Sequence, residues 1–188
     1  IFFSWMILNK KPSIFQFLGI MLSIFGVVCI ILKGKIVNLV NLNFTPGDIW
    51  MLLAVISWGF YSVLLRKLDT SLPQIPTLSV MIFLGLIFIS PFYFFESLTY
   101  GFLPSQISDL FMISYVAIFA GIFSFIFWNK GVSLIGANRA GVFLHLIPVF
   151  SSLWAILILK ESFSLFHIYG ILFIVIGIIL ANYNFKYE

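Results

Sequence analysis

One stretch of the chain decides its fold class. Residues 162–185 read SFSLFHIYGILFIVIGIILANYNF, which is 24 residues without a charged side chain. An α-helix needs about 20 apolar residues to cross the ~30 Å hydrocarbon core of a bilayer. The stretch is therefore predicted to be a membrane-spanning helix, and it carries two glycines, Gly170 and Gly177, seven positions apart.

Five further windows of the chain have the same character. They are residues 12–32, 49–65, 70–95, 110–129 and 140–159. Each is apolar throughout and lacks the alternation of polar and apolar residues that marks a membrane β-strand. Residues 1–8 are predicted to be the tail of a seventh crossing. The predicted fold class is an all-α integral membrane protein, a helical bundle.

The composition excludes a soluble domain. Of the 188 residues, 62% are hydrophobic and 9% are charged, whereas roughly a quarter are charged in soluble domains. The net charge of +4 comes from basic residues that stand singly or in pairs, so nucleic-acid binding is not expected. The one cysteine, Cys29, leaves no disulfide framework and no cysteine-based metal site. No cofactor is expected.

The charges between the apolar windows predict an orientation. The polar connection 33–47 is predicted to join two halves of the protein, with Asp48 capping the helix that follows. Alternate connections place seven basic residues on one side: Lys10, Lys11, Arg66, Lys67, Lys130, Arg139 and Lys186. The other side holds fewer basic residues and four acidic ones: Lys33, Lys35 and Lys160, with Asp48, Glu96, Asp109 and Glu161. The positive-inside rule then places the first side, and the C-terminus, in the cytoplasm.

The chain also resembles itself at an offset of 151 residues. Glycines align with glycines and serines with serines, as in Gly19 with Gly170, Gly26 with Gly177, Ser13 with Ser164, Phe15 with Phe166, and Ile20 with Ile171. Chance likeness between apolar helices is the alternative, but aligned glycines are more informative than aligned Ile or Leu. The second unit would hold five crossings, an odd number, so the matched turns are predicted to lie on opposite faces of the membrane.

Inverted repeats of this kind indicate a carrier. Many secondary transporters use them to build two oppositely facing states from one fold. The predicted domains are residues 1–37 as the end of a first repeat, 38–47 as a linker, 48–184 as a second repeat, and 185–188 as a cytoplasmic tail. The repeat further predicts that about four crossings precede residue 1.

Several ordered landmarks resemble the EamA-type members of the drug/metabolite transporter superfamily. They are Asp48-Ile49-Trp50 with Trp58, Tyr61 and Arg66, the runs 128–132, 136–140 and 146–150, Lys160-Glu161-Ser162, and the helix with Gly170 and Gly177. The resemblance implies ten crossings in two inverted five-helix repeats in the cell membrane, a bacterial inner membrane. It also implies transport of small organic solutes, such as amino acids, related metabolites or drugs, without ATP hydrolysis. One departure is Lys10, where the family often has a Glu like Glu161.

Two stripes of small and polar residues are candidates for the solute pathway. Steps of three and four residues keep the members of each stripe on one helical face. The stripes are Ser114, Ala117, Gly121, Ser124 and Trp128, and then Gly141, His145, Pro148, Ser152 and Ala155. Close helix packing is the alternative explanation for stripes of small residues.

His145 and Pro148 are the most specific candidates for solute binding. His145 lies well inside a crossing, where an unpaired charge is costly; it is predicted either to bind solute, to relay protons, or to form a hydrogen bond with a neighbouring helix. Pro148 removes a backbone donor and frees the carbonyl of Leu144, so a kink or broken helix is expected there. A purely structural bend is the alternative for Pro148.

The remaining substrate-binding candidates are Trp58, Tyr61, Ser124 and Ser152. Trp58 and Tyr61 lie one turn apart and could form an aromatic wall, or simply pack. His167 is expected at the membrane interface. No catalytic or metal-binding residues are predicted.

Two other functions compete with a solute carrier: a membrane-embedded enzyme acting on lipid-linked substrates and a non-transporting membrane subunit. The scattered acidic residues argue against the enzyme. Expected partners are a small-molecule solute and the lipid bilayer, with no nucleic acid; a homodimer is left open.

Overall fold

The computed structural model describes residues 1–9, 11–40, 45–67, 72–101 and 106–183. Lys10, Lys186, part of the predicted linker and the predicted tail lie outside these residues. The first five helices are α1 (Phe2–Leu8), α2 (Ile14–Ile31), α3 (Val37–Val40), α4 (Pro46–Leu65) and α5 (Gln74–Tyr100). The later ones are α6 (Ile107–Tyr115), a π-helical segment (Val116–Phe123), α7 (Ser124–Ile135), α8 (Ala137–Phe143), a 3₁₀ turn (Leu144–Leu146), α9 (Ile147–Leu159) and α10 (Leu165–Asn182).

The helices confirm the predicted fold class. Among the described residues, six helical spans are long and apolar enough to cross a membrane: Ile14–Ile31, Pro46–Leu65, Gln74–Thr99, Ile107–Ile135, Ala137–Leu159 and Leu165–Asn182. Each one overlaps a window found in the sequence, and no β-strand occurs among the described residues. The protein is an all-α, multi-pass integral membrane protein.

The chain forms two compact units. One contains Ile1–Arg66 with Ile135–Glu188, and the other contains Lys67–Leu134. In the first unit, buried residues of α2, α8, α9 and α10 form the core: Ile30, Val142, Val149, Ile174, Ile178 and Ala181.

Helices α2 and α10 pack against each other in antiparallel directions. Gly19 in the first half of α2 meets Gly177 and Ala181, whereas Gly26 further along α2 meets Gly170. A Cβ atom added to Gly26 would lie 2.6 Å from the Gly170 carbonyl oxygen, so the backbones touch. Within a bilayer, such close packing replaces the hydrophobic effect as the force that holds helices together. The paired glycines therefore fix how α2 and α10 cross.

The buried faces of α2 and α10 correspond at the offset seen in the sequence. Five buried residues of α2 are Gln16, Gly19, Ser23, Gly26 and Ile30. The residues 151 positions later, His167, Gly170, Ile174, Gly177 and Ala181, are all buried in α10. The two helices thus bury equivalent faces against each other.

Helix starts and ends follow the same correspondence. Ser13 begins α2 and accepts a hydrogen bond from the Gln16 backbone N–H at 3.1 Å. Ser164 begins α10, and its backbone N–H donates to Nδ1 of His167 at 3.1 Å. Asn9 after α1 and Lys160 after α9 both adopt the left-handed conformation, with φ of 54° and 55°.

One expectation about the helix ends is wrong. Thr45 rather than Asp48 caps α4; Asp48 lies in the first turn and accepts a hydrogen bond from the Thr45 backbone N–H at 2.6 Å. His167, which is expected at the membrane interface, lies in the first turn of α10, where it is buried and stacks on Phe163 with ring centroids 5.6 Å apart. Part of the predicted linker forms the single helical turn α3.

Some charges also lie elsewhere than expected. Glu96, Lys130 and Arg139 belong to helices rather than connections. Arg139, predicted as an orientation charge, is buried. The count of charges between the apolar windows uses only positions in the sequence. It cannot show where a helix extends past its apolar window or which charged side chains neighbouring helices bury.

The second unit contains α5 and the span from α6 into α7. The π-helical segment in that span makes its backbone hydrogen bonds five residues apart instead of four. Steps of three and four therefore no longer keep residues on one face, so the predicted stripe from Ser114 to Trp128 is wrong. Sequence periodicity could not reveal this, because it assumes an unbroken α-helix.

Candidate functional site

One cavity of the first unit, called the larger cavity below, has a volume of about 610 Å³ and lies between α1, α2 and α8. Aromatic and aliphatic side chains make up most of its wall, among them Phe2, Trp5 and Phe17. Among the described residues that line it, Asn138 and His145 have polar side chains and none has a charged side chain. Such a wall suits an apolar organic group with a small number of hydrogen-bonding atoms.

His145 enters this cavity from a break between two helices. The 3₁₀ turn that contains it separates α8 from α9, and Pro148 follows in the first turn of α9. The expected helix break is therefore confirmed. However, the Leu144 carbonyl is not free, because it accepts a hydrogen bond from the Ile147 backbone N–H in the tighter turn.

The His145 ring is held by the neighbouring helix α2. Its Nδ1 atom lies 2.6 Å from the Oγ atom of Ser23, which is fully buried. This hydrogen bond joins residues that are 122 positions apart in sequence. The alternative in which His145 bonds to a neighbouring helix is thus observed.

A smaller cavity of about 450 Å³ lies near the C-terminal end of α2. Its wall is more polar than that of the first cavity. It includes Lys33, Glu161 and His167, together with the hydroxyls of Ser151, Ser152, Ser162 and Ser164. The two cavities therefore differ in chemistry.

The two cavities lie at opposite ends of the same helices. The larger is lined by Phe17 and Ile20 from the first half of α2, and the smaller by Ile30 from its last turn. Along the other span, Gly141 of α8 lines the larger cavity and Ala155 of α9 the smaller one. The contact between His145 and Ser23 lies between these positions in both helices.

Three of the six predicted site residues lie at these two cavities or between them. His145 lines the larger cavity, Ser152 lines the smaller one, and Pro148 lies between them along the helix. The Ser152 hydroxyl donates to the Pro148 carbonyl oxygen at 2.7 Å.

The other three candidates are not brought to these two cavities. Trp58 and Tyr61 pack against each other on α4, with ring centroids 5.5 Å apart. Ser124 belongs to the second unit, and its hydroxyl donates to the Phe119 carbonyl oxygen at 3.0 Å.

Sequence reasoning missed Ser23 and Asn138 in this region. Ser23 could have been found, because Gly19, Ser23 and Gly26 follow steps of four and three, the same criterion that selected His145 on the later span. Asn138 belongs to the landmark run 136–140 but to neither helical stripe, since it stands near the start of α8 beside a charged residue, Arg139.

The comparison with known families decides the assignment. Residues 45–183 match the model of the EamA-like transporter family. The chain belongs to the EamA-like transporter family. This confirms the resemblance carried by the ordered landmarks of the sequence.

Individual relatives agree with this family. The chain is 28% identical over 185 residues to the uncharacterized transporter YetK of Bacillus subtilis, covering 95% of this chain and 54% of that protein. It is 23% identical to the uncharacterized transporter YyaM of the same organism, covering 94% of the chain and 57% of the relative. It is 25% identical to the uncharacterized inner membrane transporter YicL of Salmonella typhimurium, covering 95% and 59%.

The chain thus spans between about half and three-fifths of the length of these relatives. No solved structure matches it significantly. In the part of the chain that the structure describes, no group of three or more His, Cys, Asp or Glu side chains could hold a metal ion.

Proposed function

We propose that the chain is part of a secondary transporter of small organic solutes that works by alternating access. The observation that carries the proposal is the position of the His145–Ser23 hydrogen bond between two cavities at opposite ends of α2. Family membership and the names of the relatives support a membrane transporter.

Alternating access rests on two inverted repeats in this proposal. Residues 1–37 end the first repeat, 38–47 link the two, 48–184 form the second repeat and 185–188 are a cytoplasmic tail. The antiparallel packing of α2 and α10 supports this arrangement, because equivalent helices of inverted repeats must run in opposite directions. The matching left-handed residues Asn9 and Lys160 support it further.

The repeats suggest how the protein changes between its two states. Each cavity opens to one face of the membrane in turn, and the His145–Ser23 contact closes the path between them. Opening this path separates the break in the α8–α9 span from α2. One hydrogen bond contributes about 0.5–1.5 kcal/mol, so breaking it is compatible with frequent switching.

The larger cavity indicates the kind of solute. Its apolar wall, in which none of the described lining residues has a charged side chain, favours a solute with a substantial apolar part. His145 and Asn138 supply the hydrogen-bonding groups. We place the larger cavity on the cytoplasmic side and the C-terminus in the cytoplasm, on the basis of the seven basic residues predicted on that side. The membrane is a bacterial inner membrane, as the name of the Salmonella relative suggests.

Solute counterflow in proteoliposomes tests the proposal. Vesicles containing the protein are loaded with a mixture of apolar and polar metabolites without ATP, and the external solutes are identified by mass spectrometry over time. We expect exchange of at least one solute, and its loss in the His145→Ala variant. The Ser57→Ala variant is the control, because Ser57 is exposed on α4 and its hydroxyl bonds only within its own helix. Wild-type vesicles that exchange no more than empty vesicles would contradict the proposal.

A further inference from the structure

The hydroxyl of Ser23 is in an unusual position for a helical serine. Most helical serines donate to a carbonyl oxygen one turn earlier, as Ser57 does to Leu53 and Ser152 does to Pro148. Ser23 instead points its Oγ atom at His145 Nδ1, 2.6 Å away. Among the described residues, the Ser23 hydroxyl has this one partner.

This geometry selects one tautomer of His145. A neutral imidazole carries its proton on one ring nitrogen and accepts with the other. If Nδ1 carried the proton, it would donate to Ser23 Oγ, and the serine hydrogen would be left unsatisfied at a fully buried site. A buried donor without an acceptor is unfavourable, because it has lost its hydrogen bonds to water. The Ser23 hydroxyl therefore donates to Nδ1, and the imidazole proton lies on Nε2.

We propose that Ser23 is a positioning residue that fixes His145 as a donor from Nε2 to the solute. This inference rests on the proposed function, and it deepens it by naming a feature of the solute. Since His145 lines the larger cavity and its Nδ1 is occupied, Nε2 is the ring nitrogen left for a bound molecule. The solute must then present a hydrogen-bond acceptor, such as a carbonyl oxygen, beside its apolar part.

The α10 helix has no serine that corresponds to Ser23. The position 151 residues after Ser23 is Ile174, which is also fully buried but has no hydroxyl. The α10 helix therefore lacks a serine at the equivalent point of the crossing. Among the described residues at this crossing, the orienting hydroxyl comes from α2 alone, so the solute-orienting donor belongs to the larger cavity.

The tautomer can be measured without any transport assay. The protein is labelled with ¹⁵N-histidine and placed in lipid nanodiscs at a pH where imidazole is neutral, and His145→Ala assigns the signal. We expect the His145 Nδ1 resonance at the position of an unprotonated ring nitrogen and Nε2 at that of a protonated one. In Ser23→Ala the two resonances should move toward the average of a tautomer mixture, whereas in Ser57→Ala they should not. Protonated Nδ1 in the wild-type protein, or no change in Ser23→Ala, would overturn the inference.

A second measurement tests whether His145 Nε2 donates a hydrogen bond to a bound molecule. Acetanilide, which joins an aromatic ring to a carbonyl acceptor, serves as the probe, and its dissociation constant is obtained from the shift of the His145 Nε2 resonance. We expect this constant to rise about threefold to tenfold in Ser23→Ala, the range for one neutral hydrogen bond. Ser23→Cys keeps a weak donor, so its dissociation constant should lie between those of the wild-type protein and Ser23→Ala. An intermediate value also distinguishes the loss of the hydrogen bond from a folding defect in the alanine variant. An unchanged constant in Ser23→Ala would overturn the inference.

The two proposals fail in different ways. Absence of solute exchange by the wild-type protein overturns the transport function but leaves the tautomer result intact. A mixed tautomer in a protein that exchanges solutes overturns the role of Ser23 and leaves the transport function standing.

Discussion

His145 Nδ1 and Ser23 Oγ lie 2.6 Å apart, and their hydrogen bond ties the break in the α8–α9 span to the middle of α2. Ser23 is fully buried between Gly19 and Gly26, the two glycines through which α2 contacts α10. The same crossing that fixes the packing of α2 and α10 therefore also holds the histidine of the larger cavity.

Removal of the histidine should stop transport without unfolding the protein. His145→Ala deletes the polar group that is proposed to meet the solute and leaves the buried Ser23 hydroxyl without its partner, at a cost of about 1–3 kcal/mol. We expect solute exchange in proteoliposomes to fall to the level of empty vesicles, with normal amounts of protein in the membrane fraction. Normal exchange by this variant would remove His145 from the pathway.

The glycine contact between α2 and α10 should tolerate no side chain. A Cβ atom at Gly177 would lie 2.5 Å from the Gly19 carbonyl oxygen, so Gly177→Ala forces the helices apart. Overpacking of this kind costs about 1–3 kcal/mol. We expect a clear fall in the thermal midpoint of tryptophan fluorescence in detergent.

Gly85 supplies the matched control for this substitution. It also lies inside a helix, α5, but nothing lies within 4 Å of an added Cβ atom. Gly85→Ala should leave the midpoint unchanged or raise it slightly, because alanine is the better helix former. Equal midpoints for Gly177→Ala and the wild-type protein would show that the observed packing is not the packing in the membrane.

Pro148 should matter for switching more than for stability. Replacement by alanine restores a backbone donor at position 148 that can reach the Leu144 carbonyl oxygen, which now bonds to Ile147. Pro148→Ala should therefore favour a continuous α-helix from α8 into α9 and stabilise one state. We expect at least a tenfold lower rate of solute exchange with an undiminished thermal midpoint. A rate equal to that of the wild-type protein would make the break a structural bend alone.

The spans were predictable because their physical cause is local. A run of apolar residues long enough for the bilayer is visible in residues 162–185 without any knowledge of neighbours. The spacing of Gly19 and Gly26, repeated in Gly170 and Gly177, likewise predicts that two helices correspond, and both helices bury these glycines. Fold class and helix positions depend on little more than these patterns.

The details of the site depend on contacts between distant residues and were harder to predict. His145 stood out because an ionisable group is rare inside a crossing. Ser23 did not, because a serine among glycines is typical of any packed membrane helix. The π-helical segment Val116–Phe123 could not be predicted either, because its residues have the same apolar character as those of an ordinary α-helical span.

Access to the two cavities from the two sides of the membrane tests the central claim most directly. In a Cys29→Ser background, Ala137→Cys places a thiol in the larger cavity and Ala155→Cys places one in the smaller cavity. A membrane-impermeant maleimide is added to intact cells and to inverted vesicles. The control is Val175→Cys, at an exposed position on α10 outside both cavities. We predict that position 155 is labelled from outside and position 137 from the cytoplasmic side, and that a transported solute changes the two rates in opposite directions. Labelling of both positions from the same side, or rates that change together, would contradict the account.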